Sequence, residues 1–215
     1  PEIHPNIRIV KDCAAAAVCF VQLAGLADAP SISLVVSVFL TATGAYALDR
    51  VKLSDAWIDP SDIASQPVRY AFLKAHARVV RFGALLAIAA AGLIGYSISA
   101  WAPAACVLAA VGVVAYAPKP KVGRPRVKDL PWLKNLYVAA GISVFGALAG
   151  LAAREPRDGG AGTPFMTLLS GLWRPNAILT LVLLMARVLV DAALCDLDDE
   201  SSDARFGTRT FATLL

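Results

Sequence analysis

Residues 175–203, PNAILTLVLLMARVLVDAALCDLDDESSD, join a long apolar run to a cluster of acidic side chains. The run has about the length that a helix needs to cross the hydrocarbon core of a bilayer. Three of the acids, Asp196, Asp199 and Asp203, are spaced three and then four residues apart, so a helix would bring them onto one face. Such carboxylates repel one another unless a cation lies among them, and Mg²⁺ prefers oxygen ligands. The cluster is therefore either a Mg²⁺ site or a solvated acidic helix end.

Similar apolar runs recur through the whole chain of 215 residues, which is 58% hydrophobic and only 17% charged. This composition, with a mean hydropathy of +0.63, is atypical of a soluble domain of this size. The runs are continuous rather than alternating, which excludes a closed β-barrel. The sequence therefore predicts an all-α, polytopic transmembrane helical bundle with six helices, over about 10–28, 31–48, 80–100, 102–118, 133–153 and 175–195.

The positive charges predict how the helices are oriented. Six Lys and Arg residues lie in 49–81 and six more in 119–134, whereas the connections near residues 28–30 and 101–103 have none. Because basic loops stay on the cytoplasmic side, both basic loops and both acidic segments, 49–62 and 196–203, are expected at that face of an integral membrane protein. The basic charge is thereby assigned to loops, and no nucleic-acid partner is expected. Acids and bases at one face indicate a site for Mg²⁺ and a polyphosphate.

Two smaller features concern the helices themselves. Arg187 and Asp191 are four residues apart in the last run, and an ionisable pair at such a position usually faces the bundle interior or a wet cavity. It is expected either to be structural or to line a substrate cavity. Gly146 and Gly150 are expected to permit close helix packing. The four cysteines have no metal-ligand spacing and are interpreted as small packing residues.

Residues 196–210 resemble the second aspartate motif of the UbiA-type family of intramembrane prenyltransferases. In that motif Asp-x-x-Asp-x-x-x-Asp is followed by Gly and by Thr three residues later, here Gly207 and Thr210. A second similarity is Tyr116-Ala-Pro118, followed by basic residues and by Leu133-Lys134-Asn135. It resembles the family's Tyr-Pro, basic, Leu-Lys-Asn passage between the fourth and fifth helices.

The first aspartate motif of the family, Asn-x-x-x-Asp-Arg-x-x-Asp followed by Pro-x-Arg, is matched in part. Asp49-Arg50 fits, but Ala45 stands where Asn is expected and Leu53 where the second Asp is expected. Gln66-Pro67-Val68-Arg69 is similar to the later element, displaced by about nine residues. Either an insertion has shifted the motif, with Asp55 or Asp59 as the second carboxylate, or this site is degenerate.

The resemblance implies transfer of a prenyl group from a prenyl diphosphate to a lipophilic, ring-containing acceptor within a bilayer such as the bacterial inner membrane. It implies Mg²⁺ at two sets of aspartates, Asp49 with Asp55 or Asp59, and Asp196, Asp199 and Asp203. The candidates to bind the diphosphate are Arg50, Arg69, Lys119, Lys121 and Lys134. Tyr116 is expected either to lie near the allyl carbon, where its ring would stabilise a cation, or to pack.

Family members have nine transmembrane helices, so 1–215 is interpreted as a single UbiA-like domain without the last three. Two other functions stay open. One is a non-catalytic relative that serves as a membrane scaffold or binds lipid or pigment. The other is a CDP-alcohol phosphotransferase, although Glu200 stands where the Asp-x-x-Asp-Gly pattern of those enzymes requires Gly.

Overall fold

A computed structural model describes residues 5–25, 30–58, 63, 66–116, 130–154, 166 and 170–198, with side chains except at 5–9, 131, 132 and 195–198. Seven α-helices account for nearly all of these residues, which include no β-strand. The helices are α1 (Pro5–Leu23), α2 (Ile32–Val51), α3 (Pro67–Ala75), α4 (Ala77–Tyr96), α5 (Ala102–Tyr116), α6 (Pro131–Arg154) and α7 (Pro175–Asp198). Short 3₁₀ turns cover Asp55–Trp57 and Ser170–Trp173. The prediction of an all-α fold is confirmed.

Helices α2, α4 and α5 pack against one another as one group. Gly44 of α2 lies so close to α4 that a Cβ there would be 2.7 Å from the carbonyl oxygen of Ala84. The buried Ser37 hydroxyl donates a hydrogen bond to the carbonyl oxygen of Ala91 at 2.9 Å. A side-chain hydroxyl that bonds across two apolar helices satisfies its own polarity and fixes their register.

Helices α1, α6 and α7 form the second group, and contacts of α1 with α2 and of α5 with α6 join the two. Its core consists mainly of alanines with Phe20 and Val21, which are almost completely buried. Gly146 of α6 faces both partners, since a Cβ there would lie 3.4 Å from Leu184 and 3.8 Å from Phe20. The predicted close packing at Gly146 is confirmed.

Four of the helices are long and apolar enough to cross a membrane, namely Ile32–Val51, Ala77–Tyr96, Leu133–Arg154 and Pro175–Leu194. The chain is thus consistent with a membrane protein. The predicted number of six spans is not confirmed in the described part of the chain. Helix α1 carries Arg8, Lys11 and Asp12 in its first half, and α5 has 15 residues.

The connections agree with the sequence in one place and differ in another. The turn at 97–101 joins α4 directly to α5, as the adjoining predicted runs 80–100 and 102–118 imply. The short helix α3 was not predicted, although Pro67 at its first turn is a typical helix-start signal. Cys106 packs in the core as expected, Cys13 is half-buried, and Cys19 is exposed, so the packing interpretation is wrong for Cys19.

Candidate functional site

The carboxyl-terminal end of α2 carries the first of the predicted acidic residues. Asp49 is half-buried and accepts a hydrogen bond from the Lys52 ammonium, with 2.7 Å between Nζ and Oδ1. The Lys52 side chain is only 9% exposed. Lys52 caps the helix: its N–H still donates to the carbonyl oxygen of Leu48 at 2.8 Å, but its φ of 51° and ψ of 176° turn the following chain out of the helix. The last turn of α2 thus holds a nearly buried ion pair.

Arg81, near the start of α4, fixes the chain that leaves α2. Its Nε donates to the carbonyl oxygen of Lys52 at 2.8 Å and its Nη2 to that of Val51 at 3.0 Å. The last carbonyls of a helix have no partner within the helix, and a cation near them is favourable. Nη2 of Arg81 also contacts the carboxylate of the exposed Asp55. One guanidinium therefore holds both the end of α2 and the 3₁₀ turn that follows it.

Two more arginines surround the ring of Tyr46, one turn before Asp49. The Arg50 guanidinium carbon lies 4.9 Å from the centre of that ring, a cation–π arrangement. Arg69 of α3 donates from Nη2 to the Tyr46 hydroxyl at 3.3 Å. The Nε of Arg50 is buried, lies 3.8 Å from Oδ2 of Asp49, and has no hydrogen-bond acceptor in the described part of the protein. A buried donor without an acceptor is costly unless a ligand supplies one.

A small pocket, with room for about one water molecule, lies between the ends of α2 and α5. Lys52 is the charged member of its lining, and the other lining residues are apolar: Leu48, Leu53, Trp57, Val113 and Val114. The pocket places Lys52 beside an apolar wall, and its volume is far below that of a small-molecule site.

The end of α5 meets the start of α6 through two tyrosines. The rings of Tyr116 and Tyr137 are stacked with their centres 5.6 Å apart, and the Tyr137 hydroxyl donates to the carbonyl oxygen of Gly112 at 2.8 Å. On the same first turns of α6, Asn135 is buried and Lys134 is half-buried. Tyr116 and Lys134 thus lie at the junction of α5 and α6. The packing role predicted for Tyr116 is met at least on the side of its ring that stacks on Tyr137.

The structure brings together four of the predicted site residues at the end of α2, which are Asp49, Arg50, Asp55 and Arg69. Asp196 lies on the last turn of α7, and its side chain is outside the described part. Asp59, Lys119, Lys121, Asp199 and Asp203 lie outside the described residues altogether. Their predicted roles stay predictions.

The described carboxylates at the end of α2, Asp49 and Asp55, do not fit a site for a divalent cation. Both of its candidate ligands already have cationic partners, Lys52 for Asp49 and Arg81 for Asp55. Within the described ranges, no group of three His, Cys, Asp or Glu side chains is close enough to hold a metal ion. A fixed ammonium beside Asp49 would repel a divalent ion bound to the same carboxylate.

Sequence reasoning did not identify Lys52, Arg81 and Tyr46 as parts of this site. Lys52 and Arg81 were counted only as basic loop residues, and their contacts depend on how α2 ends and α4 begins. A signal was available for Lys52, because an oppositely charged residue three positions after Asp49 is placed to pair with it.

The ion pair predicted within α7 is formed, with 3.0 Å between Nε of Arg187 and Oδ2 of Asp191. Its position differs from the prediction, since the side chains are 75% and 47% exposed in the described part of the molecule. The pair therefore lies on an outer face of α7 and not in the described interior.

No family model, curated protein or solved structure matches the chain.

Proposed function

We propose that the protein is a membrane prenyltransferase that transfers a prenyl group from a prenyl diphosphate to a lipophilic, ring-containing acceptor and releases diphosphate. The proposal combines the sequence resemblance to UbiA-type enzymes with the cationic, partly buried end of α2. It includes six membrane-spanning helices, with the aspartate motifs at the cytoplasmic face.

The observation that carries the proposal is the environment of Arg50. Its Nε is buried, lacks an acceptor among the described residues, and lies within a group of four cations, Arg50, Lys52, Arg69 and Arg81. Two carboxylates, Asp49 and Asp55, neutralise only part of that charge. Among the described residues this leaves an excess of two positive charges, which favours an anion that brings several acceptor oxygens, as a diphosphate does.

Ionisation of the allylic C–O bond places negative charge on the departing diphosphate and positive charge on the allyl carbon. Arginine and lysine side chains held in place before the reaction stabilise the negative charge where it develops. Arg50, Arg69 and Lys134 are the described candidates for this contact, and Lys119 and Lys121 are candidates from the sequence.

The tail of the substrate would lie among apolar side chains, which exclude water from the allyl cation. Leucine, valine and tryptophan side chains lie beside Lys52, where such a tail would begin. Tyr116 is the proposed aromatic residue near the allyl carbon, where the face of its ring would favour positive charge. A Mg²⁺ ion at Asp196, Asp199 and Asp203 would supply further charge to the diphosphate oxygens.

The test is incubation of membranes containing the protein with labelled prenyl diphosphates of several chain lengths, with Mg²⁺ or with EDTA. We expect a prenylated product, identified by mass, that disappears with EDTA. Asp199→Asn and Asp203→Asn should each abolish the product while the protein is still made. If both variants keep full activity, these aspartates do not bind the metal. If the wild-type protein transfers no prenyl group, the proposed activity is wrong.

One observation favours a second candidate, a non-catalytic membrane scaffold or lipid- or pigment-binding subunit. Asp49 and Asp55 form ion pairs that hold the end of α2, as structural residues do. A scaffold would assemble normally after replacement of Asp196, Asp199 and Asp203 by Asn and would not bind a prenyl diphosphate. Mg²⁺-dependent binding of the diphosphate that those replacements remove would exclude it.

A further inference from the structure

We propose that Lys52 takes the place of a divalent ion at Asp49, so that this half of the site binds a diphosphate group without metal. The inference rests on the proposed function for the identity of the ligand. It differs from what the family resemblance implies for Asp49, because the cation at this carboxylate belongs to the protein itself.

The first support is the pairing of Asp49 with Lys52. The 2.7 Å between Nζ and Oδ1 is a charge-assisted hydrogen bond, and the Lys52 side chain is 9% exposed. At this distance the ammonium and the carboxylate compensate each other's charge. Asp49 therefore has its counter-ion before any ligand binds.

The second support is the backbone of Lys52. Its φ of 51° with ψ of 176° is a combination that side-chain-bearing residues rarely adopt and that glycine would adopt more easily. Among the residues that the structure describes, Lys52 is the one non-glycine residue with a positive φ. Arg81 holds it there through the carbonyl oxygens of residues 51 and 52. Strain that is maintained by such contacts is typical of functional positions.

The third support is the hydrogen-bonding capacity that remains. The Lys52 ammonium has three N–H donors, and among the described residues one of them is used, by Asp49. Two donors therefore remain for a ligand. Lys52 also lines the apolar pocket between α2 and α5. The buried Nε of Arg50 is a further donor without a described acceptor on the other side of Asp49. Phosphate oxygens would accept from both cations, and the pocket wall would contact the start of a hydrocarbon chain.

Metal binding tests the first part of the inference. Mn²⁺ prefers the same oxygen ligands as Mg²⁺, so its binding to the purified full chain can be counted by electron paramagnetic resonance. We expect Asp49→Asn to bind as many Mn²⁺ ions as the wild-type protein. A loss of one bound ion in Asp49→Asn would overturn the inference.

Anion binding tests the second part, with inorganic diphosphate titrated calorimetrically in EDTA. The wild-type protein should bind, and Lys52→Met should bind about tenfold more weakly, because a charge-assisted hydrogen bond is lost while the side-chain length is kept. Lys74→Met removes an exposed lysine on α3 and is the matched control, with binding expected to stay unchanged. Binding that requires Mg²⁺, or that Lys52→Met leaves unchanged, would overturn the inference.

Lys52→Met removes the cation that contacts Asp49 at 2.7 Å and can fail to fold for that reason alone. The double variant Asp49→Asn with Lys52→Met removes both charges and should fold, and its diphosphate binding in EDTA should be as weak as that of the single variant. Binding at the wild-type level in the double variant would contradict the role of Lys52.

The two proposals fail separately. If membranes transfer no prenyl group but metal-free diphosphate binding depends on Lys52, the inference stands and the prenyltransferase assignment does not. If prenyl transfer occurs and Asp49→Asn loses one bound Mn²⁺, the enzyme assignment stands and the inference does not.

Discussion

Arg50 is the residue whose replacement should affect substrate binding most directly. Its guanidinium lies over the Tyr46 ring and its buried Nε has no described acceptor. Arg50→Lys keeps the charge but loses the planar group that stacks on the ring and presents several donors in a fixed geometry. We expect the KM for the prenyl diphosphate to rise about tenfold, because one charge-assisted hydrogen bond is lost. Steady-state kinetics in membranes would measure this change.

The control for Arg50 is Arg78→Lys, which makes the same exchange at an exposed position on α4. It should leave the KM unchanged. An equal KM in Arg50→Lys and the wild-type protein would show that Arg50 does not contact the diphosphate.

At the level of single residues, the sequence identified several acidic and basic residues that lie together at the end of α2, but it did not identify the residues with which they pair. Asp49, Arg50, Asp55 and Arg69 were named from the resemblance to the family's first aspartate motif, and the structure brings them together. The spacing of Asp49 and Lys52 permits an ion pair, but its near-burial could not be derived, because it accompanies the unusual backbone of Lys52 at the end of α2. That backbone in turn depends on Arg81, which is 29 positions away.

Among the elements, α2 packs closely against the backbone of α4 at Gly44. A Cβ on Gly44 would lie 2.6 Å from Cγ1 of Ile88 and 2.7 Å from the carbonyl oxygen of Ala84. Since a backbone atom cannot move aside cheaply, Gly44→Ala should separate α2 from α4 and lower the free energy of unfolding by about 1–3 kcal/mol. Denaturant unfolding in detergent, followed by circular dichroism, would measure this change.

Gly83 of α4 provides the matched control for Gly44. A Cβ there would have no heavy atom within 4 Å among the described residues, and alanine favours a helix more than glycine does. Gly83→Ala should therefore leave the stability unchanged or raise it by up to about 1 kcal/mol. Equal effects of the two substitutions would contradict the close packing of α2 on α4.

Gly44→Ala should also weaken diphosphate binding, because Arg81 on α4 holds the end of α2 and would move away with that helix.

The elements themselves were largely predictable from hydrophobic runs. The six predicted runs correspond to α1, α2, α4, α5, α6 and α7, because a continuous apolar stretch in a bilayer has to satisfy its backbone as a helix. The short helix α3 has no such run and was missed. The apolar runs did not show which helices are long and apolar enough to span a membrane. Helix α1 differs from the four that are because it carries charges, and α5 differs because it has only 15 residues.

At the scale of the whole molecule, several helix ends meet at one end of the bundle. Arg81 joins the start of α4 to the end of α2, and the pocket residues join the end of α2 to the end of α5. The tyrosine pair continues this series from α5 to the start of α6. Sequence charges predicted that these connections share one membrane face, and the contacts show that the helix ends are neighbours. The cytoplasmic location of that face stays a prediction.

Cysteine labelling would test the orientation. In a background without native cysteines, Ala56→Cys reports on the connection after α2, and Ala100→Cys reports on the turn between α4 and α5 at the opposite end of α4. Both positions are exposed, so a reagent that reaches them should react. In sealed right-side-out membranes, a membrane-impermeant maleimide should label position 100 and not position 56.

Permeabilised membranes are the control for these variants, because both cysteines should then be labelled. Labelling of position 56 alone in sealed membranes would reverse the orientation and place the Asp49 site at the outer face. Labelling of both would mean that α4 does not separate the two sides as a membrane span. The positive charges in the connections 49–81 and 119–134 favour the first pattern, since moving them across the bilayer is unfavourable. A diphosphate donor made in the cytoplasm would then reach Arg50 and Lys52 without crossing the membrane.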